Sequence, residues 1–470
     1  MIQNVAFCRR ILLDTKRNND GRLHRSAGAR EDLGLMFGKL KKHAYTWLTN
    51  YLPDKKMGDN AWNSAVDGMW YTVMVGLTQP FMNLFAMNLG ATDQMLSYLS
   101  SWPSLVSLVA QVPAAMMTGR LPNIKNKLIL WGFLHRVNYL FFALLPFLPI
   151  AGVTKAWIYI VLVSAMNFPA TVVNTMWTQI IGKLFPANLR GQVMADRSFF
   201  VGIITLIFLL IAGPVLDSVP YPYNFTLNFG LAFIALMMSL YYLSRLHEEP
   251  HVVAADTAVA SPWSGMGAVL KDKPFLHFVS AAFIMNIGFG ISGAMWTIYF
   301  KRQLFLSNTE IAFASIVSTT SSILWYRFVP RLTTRLGMKN TFLVSYMLYL
   351  PVPLLYSFIQ PGNPWLLWII SIVEGMAGAT NNVSFINVIL DSAADMTHRP
   401  SYLAFFNTSS AIANVIFPIV GMQIYLGLGG TDTRPVFMIS TVIRSLAVLL
   451  MFLTLNAQRR AAKALENAEP

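Results

Sequence analysis

The sequence predicts an all-α polytopic membrane protein of twelve transmembrane helices in two pseudosymmetric six-helix bundles. Three observations predict it. The 470 residues are 55% hydrophobic and 12% charged, against about 25% charged in an ordinary soluble chain. Apolar runs of membrane-crossing length recur twelve times. Basic residues concentrate in the loops of one side. A mean hydropathy of +0.50 excludes a disordered chain, and a single cysteine, Cys8, excludes a disulfide-stapled secreted domain.

The runs lie near 64–88, 95–117, 128–149, 156–181, 198–217 and 224–244, then 275–300, 309–329, 340–358, 364–390, 403–425 and 434–455. They are numbered spans 1 to 12. Each must be helical, because a backbone in hydrocarbon has to satisfy its own hydrogen bonds and these runs are too long for barrel strands. Residues 61–244 and 274–457 form the two expected bundles, joined by a polar linker over 245–273 that begins Arg245-Leu246-His247-Glu248-Glu249-Pro250. A tail covers 458–470.

Residues 1–60 form a basic extension with no apolar stretch of signal-peptide length. Within it, Leu33, Met36, Phe37, Leu40, Tyr45, Trp47, Leu48 and Tyr51 alternate with Lys39, Lys41 and Lys42. That pattern fits an interfacial helix over 33–51 or an extension with no role of its own.

Placing every Lys and Arg sets the orientation. Of the 35, Lys155, Lys301, Arg302 and Arg434 fall outside and Arg136, Arg327 and Arg444 fall within spans, leaving 28 in segments that are cytoplasmic when both termini are inside. The net charge of +14 is thus an expression of the positive-inside rule and calls for no nucleic-acid partner.

Segments of the first half recur in the second at an offset near 210. The loop after span 2 reads Gly119-Arg120-Leu121-Pro122-Asn123-Ile124-Lys125-Asn126-Lys127, and the loop after span 8 reads Pro330-Arg331-Leu332-Thr333-Thr334-Arg335-Leu336-Gly337-Met338-Lys339. Over residues 60–457 the chain resembles the major facilitator superfamily, whose corresponding loop follows G-x-L-a-D-r-x-G-r-k. The first copy keeps Gly119, Leu121 and Lys127 with Arg120 beside them, the second Leu332, Arg335, Gly337 and Lys339, and the family aspartate is replaced by Asn123 and Thr334. Span 5 carries Gly213-Pro214 but Asp217 where the antiporter signature expects glycine. The resemblance implies a bacterial cytoplasmic membrane, a monomer, no cofactor or metal, and a central cavity lined by spans 1, 4, 7 and 10.

Those four spans show polar or small stripes at helical spacing. Span 1 offers Thr72, Gly76, Gln79 and Asn83; span 4, Asn167, Thr171, Asn174 and Thr178; span 7, Asn286, Gly290, Gly293 and Thr297; span 10, Glu374, Gly378 and Asn381, with Asn382 alongside. Such stripes either face a watery cavity or pack helices together. Trp70, Trp177 and Trp296 are aromatics near them that either hold an organic ligand or pack. Glu374, about ten residues into its span, is the candidate ion-coupling group, since a carboxyl in an apolar cavity can take up a proton on one side and release it on the other. The alternative is a structural ion pair with Arg444. Asp67 is a second ion-coupling candidate; the alternative is that it and Asp217, near the ends of their spans, simply reach water. Arg136 either pairs with Asp67 or binds an anionic substrate.

There is no phosphate-binding loop, no Cys/His metal cluster and no Gly-x-Ser-x-Gly turn. The expected function is secondary active transport of a small organic solute by alternating access, with H+ as coupling ion. A cavity rich in amides and aromatics favours a neutral, zwitterionic or cationic solute over a phosphate ester. The alternatives are a transporter-like sensor or scaffold, and a membrane-embedded transferase for which His135 beside Arg136 is the one suggestive pair.

Overall fold

The twelve apolar runs are all helical, for the backbone reason given above. The computed structural model describes residues 43–119, 123–248, 266–362, 364–392 and 399–466, and none of them forms a β-strand. Helices extend past the apolar runs where polar residues can face water. Span 1 starts at Lys55, where the Asp54 side chain accepts a hydrogen bond from Met57 N at 2.7 Å, and span 12 runs over Arg434–Glu466.

Two breaks matter for the site. Span 1 is Lys55–Thr78, a 3₁₀ turn over Gln79–Phe81, and Met82–Asn88. Pro80 supplies no N–H and clashes with the preceding turn, so the α-helix stops there. Span 7 is Lys273–Gly293, Met295–Ile298 and a π-helical turn over Tyr299–Gln303. Spans 2, 4, 5 and 6 are Asp93–Gly119, Gly152–Leu184, Ala187–Ser218 and Tyr223–Ser244. Span 3 is Lys125–Arg136 with Asn138–Leu144. In the second half, span 8 is Asn308–Trp325, span 10 Trp365–Ser392 and span 11 Arg399–Gly427. Span 9 is divided near Pro351 into Met338–Tyr349 and Val352–Tyr356. Among the described residues, seven helices are long and apolar enough to cross a membrane, spans 3 to 7, 11 and 12; spans 1, 2, 8, 9 and 10 of the twelve expected are not among them.

Packing repeats between the halves. Span 1 packs on 5 and 6, 2 on 4, and 3 on 4 and 6; span 7 packs on 11 and 12, 8 on 10, and 9 on 10 and 12. The halves meet where span 5 lies on span 8 and span 2 on span 11. Close approaches repeat as well. A Cβ on Gly76 would lie 2.9 Å from Phe208 Cβ, and one on Gly290 would lie 2.8 Å from Phe417 Cβ; 208 and 417 differ by 209, within the offset read from the sequence.

The tightest glycine is Gly421, where an added Cβ would overlap the carbonyl oxygen of Ile291 across spans 7 and 11. Gly421→Ala is therefore expected to destabilise by about 1–3 kcal/mol, read as a lower thermal midpoint in detergent. Gly230→Ala, with nothing within 4 Å of the new methyl, should be neutral or slightly stabilising.

Of the interfacial helix expected over 33–51, residues 33–42 lie outside the described residues, and 43–49 are helical. This helix docks onto protein. Leu48 is fully buried, Tyr51 donates to Asp196 Oδ2 at 2.7 Å, and Trp47 packs on Phe199 and Phe200 of span 5 with ring centroids 5.9 and 5.5 Å away.

Candidate substrate cavity and charge centres

The broken segment of span 1 puts Pro80 between two cavities. The first-half lobe, about 420 Å³, is lined by Gln79, Asn83 and Asn167 together with Tyr71, His135 and Tyr139. Gln79 and Asn83 make no side-chain hydrogen bond among the described residues, so their amides are available to a ligand. Asn167 is committed in part, donating to Val163 O at 2.7 Å. The His135 imidazole sits against Tyr71 and Tyr139, with centroids 6.5 and 6.1 Å away.

The second-half lobe, about 390 Å³, holds Trp296, Phe300, Tyr356 and Glu374, faced by Ser315, Ser318 and Thr319 of span 8. Tyr356 donates to Glu374 Oε2 at 3.2 Å. Oε1 has no hydrogen-bond partner among the described residues, and it is not one of the sealed, unsatisfied atoms. It is an acceptor open to the cavity. Arg444 is engaged elsewhere: its guanidinium donates to Tyr349 O at 2.9 Å and Ser292 Oγ at 3.0 Å and lies 4.5 Å from the Phe289 ring centroid. No ion pair joins it to Glu374 among the described residues.

A second charge centre lies behind the first lobe. Asp67, 4% exposed, does not reach water. Ser239 donates to its Oδ1 at 2.6 Å, and Arg136 Nη2 lies 3.9 Å from the same oxygen while donating to Ser239 Oγ at 2.9 Å. The serine hydroxyl thus links the two ions. Arg197 donates to Ser64 O at 3.1 Å and lies over the Trp177 ring at 4.7 Å.

Several stripe residues fall outside both lobes. Asn174 is exposed, Trp177 is occupied by Arg197, and Asn286 donates to Ala282 O at 2.9 Å and Ser410 Oγ at 3.4 Å. Asn381 is half-buried, and Asn382 donates to the Tyr326 hydroxyl at 3.3 Å. The stripe glycines Gly76 and Gly290 pack against neighbouring helices. Conversely, the sequence reading did not single out Tyr71, Tyr139, Tyr356 or the span 8 hydroxyls as site residues. The run Ser315, Ser318, Thr319, Ser321, Ser322 within one apolar span was the available signal.

The two loop motifs lie away from the cavity. Gly119 ends span 2 and Arg120 lies outside the described residues. Lys127 is exposed. A carboxylate is nonetheless present at this loop, supplied by the linker: Glu248 accepts from Ile124 N at 2.9 Å and Lys125 N at 2.8 Å at the start of span 3, and pairs with Lys183 at 3.4 Å. In the second copy Gly337 has φ +79°, a conformation glycine tolerates; Arg335 is exposed, and Lys339 donates to Gln458 at 3.1 Å.

The hydrogen bonds and ion pair identified between the halves gather at the opposite end. Arg302 pairs with Asp93 at 2.8 Å, and Gln423 donates to Gln94 at 2.9 Å. Asp217 accepts from Asn308 N at 3.0 Å, Thr309 N at 2.8 Å and Thr309 Oγ1 at 2.6 Å, capping the first turn of span 8. Asp217 is therefore a bridging group between halves.

An all-helical chain with a lined cavity between repeated helix sets has the architecture of an integral membrane transporter. This chain belongs to the Major Facilitator Superfamily, whose family profile matches residues 68–393 and 278–470. Solved structures with the same fold include a point variant of the nucleoside transporter NupG, at TM-score 0.65 and 15% identity over 84% of this chain and 99% of that one. A D-xylose-proton symporter matches at TM-score 0.63 and 13% identity over 84% and 96%. A bacterial homolog of the human lysosomal transporter Spinster, inward-facing and unoccupied, matches at 0.59 and 13% over 85% and 96%. No curated protein sequence matches the chain.

Proposed function

We propose that this protein is a secondary active transporter that couples H+ movement to that of a small organic solute. Two six-helix bundles, 61–244 and 274–457, rock about the two-lobed cavity to expose it to alternate sides. The observation that carries this reading is Glu374, a carboxyl with one open oxygen inside a cavity that can hold a solute. The solved neighbours include a nucleoside transporter and a sugar-proton symporter, and the neutral amides Gln79, Asn83 and Asn167 suit polar groups of that kind. The positive-inside distribution supports cytoplasmic termini in a bacterial cytoplasmic membrane. The end closed by Asp93, Asp217 and Arg302 is then the outer one, and the conformation faces inward. The protein acts as a monomer.

Proteoliposomes carrying a pH gradient test the function: gradient-driven solute flux across a metabolite panel is expected, and its complete absence would leave a binding protein without transport. The gate is tested by Asp93→Ala combined with Asp217→Ala. A cysteine placed at Ser315 should then be labelled several-fold faster by an impermeant maleimide added outside; unchanged labelling would show that these contacts do not hold the outer end shut.

A further inference from the structure

The two lobes differ chemically, and the difference bears on what the cavity accepts. The first-half lobe presents neutral amides, phenols and one imidazole. The second-half lobe presents a single carboxyl, no cationic side chain, and an aromatic wall. In that wall Trp296 lies 4.6 Å from Tyr356 and 6.3 Å from Phe300, and Phe300 lies 5.7 Å from Tyr356, centroid to centroid. Phe437 is stacked on Trp296 at 4.5 Å and closes it from behind, so a ligand approaches the wall from the cavity.

From this geometry we infer that the second-half lobe is a cation subsite, and that the solute is an organic monocation whose charged nitrogen lies between Glu374 and the rings of Trp296, Phe300 and Tyr356. The inference rests on the reading that the cavity binds solute, and names its class. Ring faces carry negative potential and attract a cation, more strongly when water is excluded. The open Oε1 of Glu374 supplies the full charge. Arg444, the protein cation that would compete, is held by Tyr349, Ser292 and Phe289. In its ionised form Glu374 repels an anionic solute and favours a cationic one over a neutral one, and uptake of H+ at the same carboxyl releases the cation. The neutral amides across Pro80 then receive the hydrogen-bonding remainder of the molecule. Both volumes are of ligand size.

Equilibrium binding of tetraphenylphosphonium to the purified full chain in detergent tests the inference, with tetraphenylborate as a control of the same shape and opposite charge. Saturable binding of the phosphonium is expected, with the borate at least about tenfold weaker. Glu374→Gln should weaken phosphonium binding about tenfold or more, and Trp296→Leu several-fold, as expected for loss of a ring face beneath a cation. Equal affinity for the two ions, phosphonium binding unchanged in Glu374→Gln, or no saturable binding would each overturn the cation subsite. The comparison of the two ions needs no variant, so it stands even if a substitution impairs folding. Transport is judged separately: Glu374-dependent, gradient-driven flux of a neutral solute without phosphonium binding removes the cation subsite and leaves the transporter. Phosphonium binding without any gradient-driven flux does the reverse.

Discussion

Glu374→Gln is expected to reduce pH-gradient-driven solute accumulation to the level of empty vesicles while leaving solute exchange between compartments of equal pH measurable. Glutamine nearly preserves the volume of the side chain, and its carbonyl oxygen can still accept from the Tyr356 hydroxyl, 3.2 Å from Oε2 in the native protein. What it cannot do is gain and lose a proton. If Glu374 couples H+ to transport, the driven mode is lost while exchange survives at solute concentrations that offset any weaker binding, because exchange needs reorientation of the loaded cavity and no net proton movement. Tyr356→Phe is the milder companion: it removes one hydrogen bond to the carboxyl and keeps the titrating group, so driven uptake should persist at a reduced rate. Radiolabelled uptake and counterflow in the same vesicles distinguish the two modes. Full accumulation in Glu374→Gln would remove this residue from coupling.

Arg136→Met is expected to cause the largest loss of stability among the side chains discussed. Arg136 and Asp67 are 3% and 4% exposed, bridged by Ser239. Removing the arginine leaves a buried carboxylate with a single hydroxyl donor close by. Breaking a buried pair from one side typically costs about 3–5 kcal/mol, because the surviving charge loses its compensation but not its desolvation. The double variant Asp67→Asn with Arg136→Met should recover much of that loss, since neither ion then remains. A thermal-unfolding cycle over the four proteins measures the coupling. Equal midpoints for Arg136→Met and the native chain would show that Asp67 is satisfied by other groups.

Much of the fold was legible in the sequence for reasons that are local. Twelve apolar runs, a polar linker and a recurring offset are properties of consecutive residues, and a helix in hydrocarbon is the only backbone solution for each run. Glu374 was legible for a similar reason: one carboxyl inside an apolar run is anomalous whatever surrounds it. The amide stripes were only partly informative. Gln79, Asn83 and Asn167 reach the first-half lobe, whereas Asn174, Asn286 and Asn382 meet solvent or other side chains. Helical periodicity gives the angle of a residue about its own axis, but it gives neither the depth of the cavity nor the rotation of the neighbouring helix. The same gap left Gly76 and Gly290 open between cavity lining and helix packing, and they pack against Phe208 and Phe417.

The sequence by itself determined that the chain is helical, rich in apolar runs of membrane-crossing length, and carries a carboxyl inside one of them, because each follows from properties summed over neighbours in the chain. Only the tertiary structure decided which groups share a cavity. It set the Tyr356 hydroxyl against Glu374, drew Arg444 away to Tyr349 and Ser292, moved the loop carboxylate to Glu248 and made Asp217 a clasp between halves. Each of these is a contact between segments distant in sequence, fixed by how whole helices interlock, and no local pattern of residues encodes that.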